Sequence, residues 1–289
     1  MSTELTIQNE MGQSLAEMIG VSGGGNSGPT LARIFQLHTP VMGEVEVNGK
    51  KLKTEVLGVG TYKIDIPDQE PVFASEVELR VFAIRQQWQR WNSDANMMQK
   101  TVMANNLNGD LKDNTGGFNL GRPSGYIKDF NALPDSTKEL IRSVNRVKIF
   151  MGMLTVKNPL DANGEPTGEE IVEIPFVMDV KNRDSMKSLD DTLGVFARRN
   201  VLPIMHTLVL GSDTRSLPNG SNYGIMVAKP GQKVDLKETD NESLKNFMDY
   251  IGYVNNYIMT KWDEAHVEGI SDEDADLVGQ LVNVEGDDE

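Results

Sequence analysis

The chain has no cysteine in 289 residues. That excludes disulfides and thiolate chemistry and removes most zinc sites. Histidine is almost as scarce. His38, His206 and His266 stand far apart with no HxxxH or HExxH spacing, so a histidine-rich metal centre is not expected, and a Ser-His-Asp triad would need assembly from distant positions. No apolar run approaches the roughly 18 residues that span a bilayer. Residues 1–13 lack the basic and apolar regions of a secretory signal. No GxxxxGK[ST] loop occurs, which removes a P-loop nucleotide site. Gly23, Gly25 and Gly28 fit GxGxxG, but no strand precedes them and Pro29 follows, so they read as linker. These absences imply no cofactor, no membrane association and a cytoplasmic default.

What is abundant is negative charge. Asp and Glu number 43 against 28 Lys and Arg, a net charge of −15. Nine of those carboxylates fall in residues 267–289 with no base among them: Glu268, Asp272, Glu273, Asp274, Asp276, Glu285, Asp287, Asp288 and Glu289. Taking nine from −15 leaves −6 for residues 1–266. Residues 79–150 run the other way, with eleven bases against six acids. A basic middle and a strongly acidic end coexist in one chain, and the distribution says more about partners than the total does.

Aromatics are 6% of the chain, yet two of its three tryptophans lie within residues 76–92, EVELRVFAIRQQWQRWN. Val77, Leu79, Val81 and Ala83 alternate with Glu78, Arg80 and Phe82, the period of a half-buried strand. Arg85, Trp88, Arg90 and Trp91 follow. An indole stacks on a base and a guanidinium neutralises a phosphate, so interleaving them suits single-stranded nucleic acid. Read locally, the same tryptophans could fill a core with the arginines snorkelling outward. The surrounding basic excess favours the binding strand.

Short strands dominate residues 31–104, with Asn48-Gly49 as a type I′ hairpin signal. Residues 105–133 are irregular, and a loop this long is usually functional or disordered. It carries Phe118, Arg122, Tyr126, Lys128 and Phe130, either binding residues or aromatics that anchor a surface loop. Ser136 and Glu139 have capping-box spacing. A strand pair with Pro175 at an edge or bulge follows, then a helix with Met186, Leu189, Leu193 and Phe196 on its apolar face. A hairpin follows over residues 204–228, with His206 read as structural, and last a long helix on Leu244, Phe247, Met248, Ile251, Val254, Ile258 and Trp262. There is no βαβ alternation. The expected class is α+β: a strand-rich antiparallel barrel with inserted helices and a long C-terminal helix. An elaborated OB-like barrel best suits a stacking platform, although the pattern alone does not separate it from another barrel or a sandwich. The expected organisation is a flexible segment over 1–30, one domain over 31–266 and a disordered acidic tail over 267–289.

Asp179-Val180-Lys181 at a strand end matches part of a metal-dependent nuclease site, with Asp161, Glu170 or Glu173 as the upstream acid. A strand-end cap accounts for the same residues.

The basic-aromatic RVFAIRQQWQRW and the terminal EGDDE, set on a strand-rich body, resemble the single-stranded DNA-binding proteins of bacteriophage replication systems. GTYKIDI with VELRVFAIRQQWQRWN, and LVLGSDTRSLPNGSNYGIMVAKPG, are similar to segments of proteins from tailed marine phages. The resemblance covers residues 31–289 and implies an OB fold, sequence-tolerant binding, and tail contacts with polymerase or recombination proteins through Asp272, Glu273, Asp274, Asp276, Asp287, Asp288 and Glu289. Many such tails end in an aromatic residue and this one does not, which weakens the partner expectation more than the DNA expectation. The tail would compete with DNA for the basic surface. The residues expected to contact single-stranded DNA are Arg80, Arg85, Trp88, Arg90, Trp91, Lys100, Phe118, Arg122, Tyr126 and Lys128, with no catalytic role. A virion structural or assembly protein is the alternative from another class.

Overall fold

The computed structural model describes residues 31–47, 50–125, 127–218 and 220–267. The expected N-terminal segment, the Asn48-Gly49 turn, Tyr126 and the tail from Glu268 onward lie outside the described residues. The architecture is mixed α and β. Strands β1 (Ala32–Gln36), β4 (Tyr62–Asp65), β5 (Val72–Ala74), β6 (Val77–Asn92), β7 (Met97–Lys100), β8 (Asn145–Val156), β9 (Ile171–Val180), β10 (His206–Ser216) and β11 (Asn222–Lys233) form one sheet. Its hydrogen-bonded order is β11-β10-β6-β8-β9-β1-β4-β5, with β7 on the edge of β6 beyond β10. β2 (Val41–Val47) and β3 (Lys50–Leu57) make a separate hairpin.

The sheet departs from the antiparallel expectation at one pair: β1 runs parallel to β9. Residues 37–170 connect these strands, so no hairpin forces them antiparallel. The ladder is open, ending at β5 and β11, yet its arms curl together. Tyr62 Oη donates to the Gly211 carbonyl at 2.7 Å. A Cβ on Gly224 would lie 2.8 Å from Gly60 Cα, so the two arms meet where neither chain carries a side chain.

Two cores follow from the two faces. Inside the curl, Ile34, Tyr62, Ile64, Leu79, Phe150, Leu154, Phe176, Met178 and Leu210 pack with Met186, Leu189 and Phe196 of helix α2 (Arg183–Arg198). On the outer face, Val147, Ile149, Met151 and Val177 pack against Phe247, Ile251, Val254 and Ile258 of α3 (Thr239–Val267). Leu244 and Met248, read as part of that apolar face, lie at its margin, 38% and 45% exposed.

Helix α2 also closes a sheet edge. Ser185 Oγ accepts from Met226 N and Ser188 Oγ from Ala228 N, both at 2.9 Å, while Thr192 Oγ1 donates to Ala228 O at 3.1 Å. Three hydroxyls at i, i+3 and i+7 thus satisfy backbone groups that an edge strand leaves open. His206 stacks on Phe196 with ring centres 5.0 Å apart. Pro175 pairs with Met153 just before β1 joins β9 at Phe176, so its missing N–H faces no neighbouring strand. The capping-box expectation fails. Helix α1 (Asp135–Ser143) starts two residues early, with Pro134 as N-cap and no side-chain cap, which puts Ser136 inside the helix.

Candidate nucleic-acid interface

The whole of residues 77–92 is one strand, β6, and a single irregularity decides what its side chains face. Its register with β8 slips between Val81 and Ala83, leaving Phe82 as the extra residue of a bulge. Before the bulge, Val77, Leu79 and Val81 enter the inner core; beyond it Ile84 does, and Ala83 joins the outer core. One inserted residue exchanges the two faces of the rest of the strand. Gln86, Trp88 and Arg90 therefore share the inner face with Ile84, and Arg85, Gln87, Gln89 and Trp91 share the outer one. The two tryptophans point to opposite sides of the sheet.

Arg80 lies before the bulge and is not a phosphate contact. It is 3% exposed, its Nη1 and Nη2 donate to Asp240 at 2.8 and 2.6 Å, and its Nε donates to Ile204 O at 2.7 Å. Glu173 lies 3.5 Å away as a further carboxylate. The guanidinium joins β6 to the first turn of α3, and its charge is already matched.

The far end of β6 is different. Arg90 Nε donates to Gln99 Oε1 at 2.8 Å, and Arg146, directly opposite Trp88 on β8, donates from Nε to Gln86 Oε1 at 3.1 Å. The Arg122 guanidinium lies over the Trp88 ring, 4.4 Å from its centre, the geometry of a cation–π contact. Partial burial lowers the Arg122 pKa below its usual value. On the outer face Arg85 donates to Ile84 O at 2.9 Å and approaches Met248 Sδ at 3.5 Å. All four guanidiniums thus meet neutral partners, and none forms an ion pair with a carboxylate of a described residue. Three of them surround one indole. Trp91, at 55% exposure, lies on the reverse side.

Lys100, opposite Gln89, is half-buried. Burial pushes its ammonium pKa down; Asp179 opposes that shift and Arg33 adds to it. It is a poorer phosphate contact than the arginines. Lys128 is exposed on the loop. Phe118 instead anchors that loop. It meets Trp262 edge-on at 5.8 Å, Trp262 Nε1 donates to Gly117 O at 3.1 Å, His266 stacks on the same indole at 3.7 Å, and Lys112 lies 3.7 Å from its centre. Asp113, wholly buried, organises the turn by accepting from Thr115 N, Gly117 N and Leu120 N at 2.9, 3.1 and 2.8 Å.

Two residues escaped sequence reasoning. Arg146 stood two positions into an ordinary strand, and nothing local could put it beside Trp88. Trp262 carried a signal, helical spacing, but that spacing does not reveal what caps the end of the helix. The nuclease constellation does not assemble. Glu173 and Asp179 lie six residues apart on β9, roughly 20 Å in an extended strand, and Glu173 is engaged by Lys237 at 2.7 Å. Asp161 sits in its own turn, accepting from Asn163 N and Glu165 N at 2.8 and 2.9 Å. Among the described residues no three acidic or histidine side chains are grouped to hold a metal ion. No helix of the described residues is long and apolar enough to cross a membrane.

Compared with protein-family models, curated proteins and solved structures, the chain matches none of them.

Proposed function

We propose that the protein binds single-stranded DNA without catalysing a reaction, in replication or recombination of the phage type. The carrying observation is the group of Arg90, Arg122 and Arg146 around Trp88, with no ion pair to a carboxylate of a described residue. A bare guanidinium cluster attracts phosphate, and Arg122 vacating the indole leaves a flat apolar face for a base. Arg122 thus holds the platform in the free protein and takes a phosphate in the bound one. Trp91, Arg85 and Lys128 are peripheral contacts in this reading. The curled, strand-rich body fills the role of an OB-like barrel. The acidic segment 267–289 competes for the same charge and offers a site to replication or recombination partners.

Titration with oligo-dT at low salt tests the reading. Tryptophan fluorescence should fall, and affinity should weaken steeply as salt rises. Unchanged fluorescence with no retarded band would refute it. Removing 267–289 should tighten binding, and equal or weaker affinity would end the competition idea.

One observation favours a virion structural or assembly protein instead. Among the described residues the β2–β3 hairpin pairs with no other strand and leaves Met42 and Leu52 each 52% exposed. A discrete high-order assembly formed without DNA would support that reading.

A further inference from the structure

A cavity of about 280 Å³ opens where β1, β9, β11 and the start of α2 meet, lined by Phe35, His38, Asp179, Val180, Lys181 and Met226 among others. Its floor is apolar and closed, Val180 and Met226 being 1% and 6% exposed. Its rim is open: Phe35 is 46% exposed, and His38 and Lys181 are exposed beside it. Lys181 has no ion pair to a described residue. The amides at the start of α2 are not free, because Asn182 Oδ1 accepts from Asp184 N and Ser185 N at 2.9 and 3.0 Å. What the cavity offers is therefore an aromatic face and two basic groups over an apolar floor. That is the form of a small-ligand pocket near the lower size limit of about 300 Å³.

Its position says which ligand. Trp88 is opposite Arg146 on β8; Arg146 and Lys148 share one face of that strand; and Lys148 is opposite Val180, which floors the cavity. Two strand spacings and two residues separate Trp88 from Val180, roughly 12 Å. Lys148 in between is paired with Asp190. Cavity and indole thus lie along one end of the sheet, well within the roughly 4–16 nucleotides that one single-strand-binding domain covers.

We propose that this cavity is a second base-binding subsite, in which a base of the same DNA strand stacks on Phe35 while Lys181 and His38 face the flanking phosphates. The inference rests on single-strand binding at Trp88.

The test uses the full chain and oligo-dT of about 12 nucleotides, inside that site-size range, at low salt. Phe35→Ala should weaken binding about 5- to 150-fold, the equivalent of one lost stacking contact. Phe35→Trp should keep the affinity and add a tryptophan whose fluorescence DNA quenches. Lys181→Gln should lower the salt slope by about one. Because Phe35 is an exposed strand-end residue, its variants should melt like the parent. If Phe35→Ala binds like the parent while Trp88→Ala is impaired, the subsite is refuted and the proposed function stands. If the parent itself does not bind, both fall.

Discussion

Replacing Asp240 by alanine should be among the most damaging single changes in this protein. It leaves the Arg80 guanidinium, 3% exposed, without the bidentate partner that holds it at 2.8 and 2.6 Å. Breaking a buried pair from one side costs about 3–5 kcal/mol because the remaining charge is uncompensated. Two features adjust that figure in opposite directions. Glu173, 3.5 Å from Arg80, can take part of the charge and draws the value toward about 3 kcal/mol. Asp240 Oδ2 also accepts from Lys237 N at 2.7 Å, and losing that contact at a helix start adds about 1 kcal/mol. With a urea slope of about 1–3 kcal/mol per molar, the unfolding midpoint should fall by at least about 1 M. A shift equivalent to less than about 1 kcal/mol would refute the reasoning. The double variant Arg80→Met/Asp240→Leu removes both charges and should recover most of the loss, since buried pairs often exchange for apolar residues at little cost. It should also bind oligo-dT with the parent's affinity and salt slope, because Arg80 has no face for a phosphate. The pH dependence has a definite sign. Burial raises the Asp240 pKa, but the Arg80 hydrogen bond and the Lys237 amide outweigh it, so the folded value lies below the ordinary carboxylate range. The pair therefore contributes fully above the unfolded aspartate pKa, and its contribution is lost as pH falls through the lowered folded value. In Asp240→Ala that acid-side loss should be missing from the stability profile.

Other consequences are open to direct measurement. Trp88→Ala should weaken oligo-dT binding by about 1–3 kcal/mol, whereas Trp91→Ala, on the reverse face, should cost much less; equal losses would contradict the face assignment set by the Phe82 bulge. Arg146→Gln should reduce the salt slope of binding by about one with little effect on stability, and an unchanged slope would remove Arg146 from the interface. Asp113→Ala strands three backbone amides at a fully buried site, each worth about 1–3 kcal/mol when unsatisfied. It should loosen the loop from α3 and shift Trp262 emission to the red, so an unchanged spectrum and melting point would show that the turn holds without it.

Periodicity carried a good share of the fold by itself. Alternation over Val77–Val81 and the spacing of Phe247, Ile251, Val254 and Ile258 each name the residues that end up buried, because burial on one face follows directly from backbone geometry. The candidate surface was half legible on the same grounds. Arginines and tryptophans stood out by type, but type does not say which way a side chain points. That depended on Phe82, one extra residue whose effect exists only in the pairing of β6 with β8. It sends Trp88 and Trp91 to opposite faces. Tertiary packing also took Arg80 out of the set, by setting against it an aspartate 160 positions away, and brought Arg146 in across the ladder. Composition and local period determined the strands, the helices and the basic-aromatic character of the middle of the chain. Which of those charges remain free was decided by contacts between distant segments, since a charge is available to a ligand only where the fold provides no carboxylate for it.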